Sequence, residues 1–100
     1  MRVLLVDDNS SSREALRESL SRRGLHVHAV ATAAEAIAHH EKLRQHASES
    51  CALLVDQTLP DMDGIALIEQ LHHDHPEFHP RVIVLTAMAR GLPPYFSTRH

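Results

Sequence analysis

Leu53-Leu54-Val55-Asp56-Gln57-Thr58-Leu59-Pro60-Asp61-Met62-Asp63-Gly64 runs from an apolar segment into an acid and then into a turn. With Cys51 and Ala52 in front, the segment shows no polar alternation, as a central parallel strand should when both its faces are covered. Asp56 ends it. Pro60 sets a turn after the acid, and Gly64 permits a tight start to the next element. Ile65, Ile68 and Leu71 then recur at helical spacing over 64–73, and Pro76 stops that helix.

Two more runs repeat the theme. Val3-Leu4-Leu5-Val6 ends on Asp7-Asp8, and Val82-Ile83-Val84-Leu85 ends on Thr86. Ligands of an open parallel sheet bind outside the carboxyl ends of its strands. These three strand ends therefore gather three carboxylates and one hydroxyl in a single crevice. That is a site for a hard cation and a phosphoryl group.

Between the strands lie helices. Asn9-Ser10-Ser11-Ser12 offers N-caps, and Ser11 with Glu14 matches a capping box. Ala15, Leu16 and Leu20 form one stripe, and Gly24 is placed to end the helix. His26 to Val30 alternates apolar with polar, which suits a half-exposed strand. Thr32 and Glu35 form a second capping box before a helix that reaches Leu43. The order βαβαβαβ predicts an α/β doubly wound parallel sheet with right-handed crossovers.

A chain of 100 residues is one domain. Its 43% apolar and 23% charged content predicts a folded chain rather than disorder. A formal charge of −3 is too small to imply direct contact with nucleic acid or an anionic membrane. No apolar run approaches the roughly 18 residues of a membrane span, and the start does not read as a secretory signal, so a cytoplasmic location is expected. The lone Cys51 reads as a small buried residue rather than a reactive thiol.

Carboxylates held together repel, and a small divalent metal relieves that repulsion. Oxygen-only ligands with room for water and phosphate suit Mg²⁺. Asp56 is then a plausible nucleophile forming an acyl phosphate, with the Thr86 hydroxyl donating to a phosphoryl oxygen.

Three motifs in the correct order, Val3 to Asp8, Leu54-Val55-Asp56 with Pro60 and Met62-Asp63-Gly64, and Val82 to Ala87, closely resemble the receiver domain of two-component response regulators. The match runs over about residues 2 to 88. The resemblance implies the flavodoxin-like sheet, with strand order 2-1-3-4 before a fifth strand. It implies that Asp56 accepts phosphate from the phosphohistidine of a histidine kinase or phosphotransfer protein. Asp8 matches the direct metal ligand and Asp7 the acid that acts mainly through water on the metal. Thr58 stands where a backbone carbonyl completes the Mg²⁺ shell, and its side chain where phosphate lifetime is tuned. Thr86 matches the switch hydroxyl, and Ala87 the small residue beside the phosphoryl group.

The resemblance stops short. The family continues through a fourth helix, a fifth strand bearing an aromatic and an active-site lysine, and a fifth helix. None is evident here, and the single lysine, Lys42, falls in the second helix. A lost lysine removes a charge-assisted contact to phosphate. Residues 1–88 therefore read as an incomplete receiver and 89–100 as an irregular tail holding Tyr95 and Phe96. Strand four becomes an exposed apolar edge, open to a homodimer. The chain is expected to be no enzyme and to lack an output domain, as either a fragment of a longer regulator or hybrid kinase or a shortened product.

A phosphorylation-independent interaction module is the alternative. A Mg²⁺-dependent phosphatase needs a second general acid and a cap, and neither is visible. The 56–63 stretch fails as a calcium loop, because Thr58 and Pro60 stand where acids are needed. Ten histidines, six of them near helix ends, read as surface groups favouring the helix dipole rather than a zinc site. Protonating them all swings the formal charge from −3 to +7, which predicts acid sensitivity.

Overall fold

The continuous apolar runs become the inner strands of one sheet. The computed structural model describes residues 1–46, 50–85 and 98–99. Its elements are β1 (Arg2–Val6), α1 (Ser10–Arg22), β2 (His26–Val30), α2 (Ala33–Arg44), β3 (Cys51–Asp56), α3 (Gly64–Asp74), β4 (Arg81–Leu85) and β5 (Thr98–Arg99). The sheet order is β2-β1-β3-β4-β5. The first four strands are parallel in the order expected, with Val6 opposite both Val30 and Val55, and Val55 opposite Val84.

Burial follows strand position. Val3, Leu4, Leu5 and Val6 of central β1 are all buried, whereas His26 and His28 of edge strand β2 are exposed. On one face Leu4, Val6, Leu53 and Val55 pack against Ala33, Ala36 and Leu43 of α2 and Leu67 and Leu71 of α3 in one aliphatic core. Phe78 is the aromatic in it. On the other face α1 buries no residue fully. Leu54 of β3 and Ile83 of β4 are half-buried there.

The caps decide where helices begin. Thr32 Oγ1 accepts from Glu35 N at 3.1 Å, so Thr32 caps α2 as expected, while Glu35 Oε1 reaches back one residue further and accepts from Ala31 N at 3.1 Å. The box expected from Ser11 and Glu14 does not form. Asn9 caps α1 instead, its Oδ1 accepting from Ser12 N at 2.9 Å, while Glu14 pairs with Arg17. The polar run 9–12 held several cap-capable residues, and an earlier one stands at the true boundary. Gly24 takes φ 86°, the left-handed stop expected after α1.

Two further readings need correction. Thr98–Arg99, within the tail expected to be irregular, pairs antiparallel with β4 at Val84 and Ile83. The β4 edge is thus covered over those residues rather than wholly exposed, although no parallel fifth strand is present among the described residues. His40, expected at the surface, is only 2% exposed. It packs against Phe78 and His75, with ring centroids 5.3 and 5.5 Å away. Cys51 is buried as expected, with its Sγ donating to the His46 carbonyl at 3.6 Å. Among the described residues no helix is long and apolar enough to cross a membrane.

Candidate functional site

Strand order reverses between β1 and β3: β2 lies to one side of β1 and β3 to the other. The crossover helices leave opposite faces at that point, so a crevice opens outside the carboxyl ends of the two strands. Asp7 and Asp8 follow β1 and Asp56 ends β3, so both acid runs open into it. A carboxylate oxygen from each of Asp7, Asp8 and Asp56 lies within 4.8 Å of the others. Asp7 and Asp56 are buried and Asp8 is exposed.

Backbone geometry holds the acids. Asp7 N donates to the Val30 carbonyl at 3.0 Å, and Asp7 Oδ1 accepts from Asn9 N at 3.0 Å. Asp56 Oδ1 accepts from Thr58 N at 3.3 Å. The turn after Asp56 closes on itself: Thr58 bridges Asp63, and Gly64 N donates to the Gln57 carbonyl at 2.7 Å. A Cβ on Gly64 would meet the Asp56 carbonyl oxygen at 2.5 Å, so only glycine lets α3 begin this close to the acid. Asp63 then caps α3, accepting from Ala66 N at 2.7 Å.

Two contributors were not singled out from sequence. Asp61 reaches across to α2, one oxygen accepting from Ala33 N at 2.9 Å and the other from Ala34 N at 3.0 Å. These backbone donors hold its carboxyl below the ordinary value. Arg13 Nη1 donates to the Asp7 carbonyl at 2.9 Å, which places a guanidinium beside the acids. Asp61 lay inside the deciding stretch, but a bond to a helix 28 residues earlier leaves no local pattern.

Of the residues expected at the site, Asp7, Asp8 and Asp56 come together, and Thr58 sits on the turn beside them. Thr86 and Ala87 lie outside the described residues. Lys42 borders a cavity with His26 and Arg2 at the opposite, amino end of the sheet. The donor set is all oxygen with clustered negative charge, which fits a small hard divalent cation and disfavours a soft one.

The response regulator receiver domain family model matches residues 3–92. The chain belongs to that family. This receiver is 37% identical over 76 residues to the sensor protein TorS of Escherichia coli (strain K12), covering 76% of this chain but 8% of that protein. It is 34% identical over 87 residues to the response regulator MprA of Mycobacterium leprae (strain TN), covering 87% of this chain and 35% of that one. A sensor protein from Polaromonas sp. JS666 matches its structure with a TM-score of 0.68 at 32% identity, over 90% of this chain and 68% of that one. The receiver thus spans only a small part of the length of the first two.

Proposed function

We propose that this receiver accepts a phosphoryl group on Asp56 from the phosphohistidine of a histidine kinase or phosphotransfer protein. The three convergent carboxylates at the switch point carry this reading. A carboxylate oxygen of Asp56 attacks phosphorus, the P–N bond to the donor imidazole breaks, and the nitrogen leaves and takes up a proton. The product is an acyl phosphate.

Asp7, Asp8, Asp56 and the Thr58 carbonyl are the proposed ligands of Mg²⁺. When bound, the ion offsets carboxylate repulsion and neutralises charge on the transferring group. Asp7 is held from both sides by Val30 and Asn9, and Asp56 by Thr58, so the acids meet the donor with little reorganisation. Thr86 is the proposed switch hydroxyl. Arg13 supplies positive charge close to the acids. Location in the cytoplasm fits a donor of this kind.

A second reading is a phosphorylation-independent dimerisation module. It draws on the half-buried Leu54 and Ile83 and on a β4 edge that, among the described residues, is paired at Ile83 and Val84. Intact mass after incubation with Mg²⁺ and a small-molecule phosphodonor decides between the two. Gain of one phosphoryl group, lost in Asp56→Asn and without metal, supports phosphotransfer. A folded sample that gains nothing, yet shows concentration-dependent dimer mass by light scattering, supports the module.

A further inference from the structure

The amino end of the sheet holds a second cluster of titratable groups. A cavity of about 380 Å³ opens there between β1, β2 and α2, within the ~300–1,000 Å³ range of small-molecule sites. Arg2 borders it from β1, His26 and His28 from β2, His39 and Lys42 from α2, and His46 from just beyond α2. No carboxylate lines it among the described residues. Arg2 and His46 have further contacts of their own, so the four residues that define the site are His26, His28, His39 and Lys42. The rings of His28 and His39 stack face to face, with centroids 3.5 Å apart and planes within 5°.

We propose that this cavity binds a small multivalent phosphoryl anion, a polyphosphate or phosphate ester, between Lys42 and the imidazoles of His26, His28 and His39. Two imidazolium rings in that stack repel each other unless negative charge lies against both. Burial, then His28 and Lys42, all hold the His39 value below the ordinary one, and no acid acts in the other direction. An oxyanion offsets the repulsion and favours the charged form of His39. Binding therefore takes up protons and tightens as pH falls.

A transition metal is the poorer occupant. The ring nitrogens of the stack point within two nearly parallel planes and cannot converge on one ion, and Lys42 adds like charge. Among the described residues the convergent metal-ligating cluster is the acid one at the other end.

The test is titration of the metal-free protein with inorganic pyrophosphate at constant ionic strength, read by calorimetry and by backbone amide shifts, near pH 6 and near pH 8. The expected result is shifts centred on residues 26–28 and 39–42 and at least tenfold tighter binding near pH 6, although the probe itself carries less charge there. His39→Ala and Lys42→Met each weaken binding at least tenfold, and Asp56→Asn leaves it unchanged. His28→Gln, at an exposed strand position that tolerates it, repeats the loss in a protein whose circular dichroism is native. Affinity independent of pH, equal shifts with sodium chloride, shifts centred on residues 7, 8 and 56, or displacement of the probe by Zn²⁺ at these residues would overturn the proposal.

Discussion

The two ends of the sheet carry opposite charge and come by it differently. At the carboxyl end Asp7, Asp8 and Asp56 are brought together by a reversal of strand order and pinned by backbone donors from Asn9 and Thr58. At the amino end Arg2, His26, His28, His39 and Lys42 surround a cavity because strand starts and one helix face meet there. β1 alone separates the two by about 16 Å, at ~3.3 Å per residue. The carboxyl end is held by geometry that a single Cβ would spoil, whereas the amino end is held by side chains at tolerant positions. Rigid chemistry and adaptable charge thus occupy opposite poles of one scaffold.

Acid should stress this comparison most, and its main effect should come from a buried group beside the amino pole, packed on His75 and Phe78 ahead of β4. His40 is buried with its Nδ1 unpartnered. Burial first, then His75 and Arg44, pushes its value from 6.5 down to about 4, partly opposed by Glu41 and Asp74. Between those values the unfolded chain holds the proton and the folded chain does not. Stability is therefore complete above pH 6.5 and falls as pH drops to about 4, by at most ~3 kcal/mol from this group. Urea midpoints across that range should show the slope, and His40→Leu should flatten it. An unchanged slope would leave His39 of the amino pole, whose value burial also lowers, as the source.

Gly64→Ala attacks the carboxyl pole directly. Its Cβ would meet backbone at 2.5 Å from the Asp56 oxygen and 3.0 Å from Gln57 Cα, neither of which can yield cheaply. A loss of about 1–3 kcal/mol is expected, with phosphoryl uptake falling further than stability because the Asp56 turn moves. Equal stability and uptake would mean that the turn relaxes freely.

Asp56→Asn should act the other way on stability. Without metal it removes one of three crowded charges and stabilises by about 1 kcal/mol. Mg²⁺ should raise the urea midpoint of the native protein but barely that of the variant. A native midpoint insensitive to Mg²⁺ would break the reading of the acids as a cation site.

The smallest effect belongs to Asp61→Ala, which releases the Ala33 and Ala34 N–H groups from the loop after β3. A modest drop in melting temperature is expected, with Asp61→Asn in between. Amide exchange should quicken at the start of α2 while the amino end of the sheet stays unchanged.

Much of this could be read along the chain because it depends on local chemistry. Unbroken apolar runs mark inner strands, alternation at 26–30 marks the edge, and Thr32 with Glu35 marks the start of α2. Asp7, Asp8 and Asp56 could be grouped because strand ends in a parallel sheet share one side. His40 could not be read as buried, since its place depends on Phe78 and His75 arriving from beyond α3. Nor could Thr98–Arg99 be read as a strand: two residues carry no periodicity, and only the open β4 edge supplies their partner.

By itself, then, the sequence determined the alternation of strands and helices, the strand that carries the acid, and the family to which the chain belongs. Each depends on residue type and spacing within one element or one turn. The tertiary structure alone decided that Asp61 ties the acid loop to α2, that Arg13 stands beside Asp7, and that six basic groups share a cavity away from the acids. Those pairings join residues far apart in the chain, and nothing in local periodicity encodes which distant groups the packed core brings within reach.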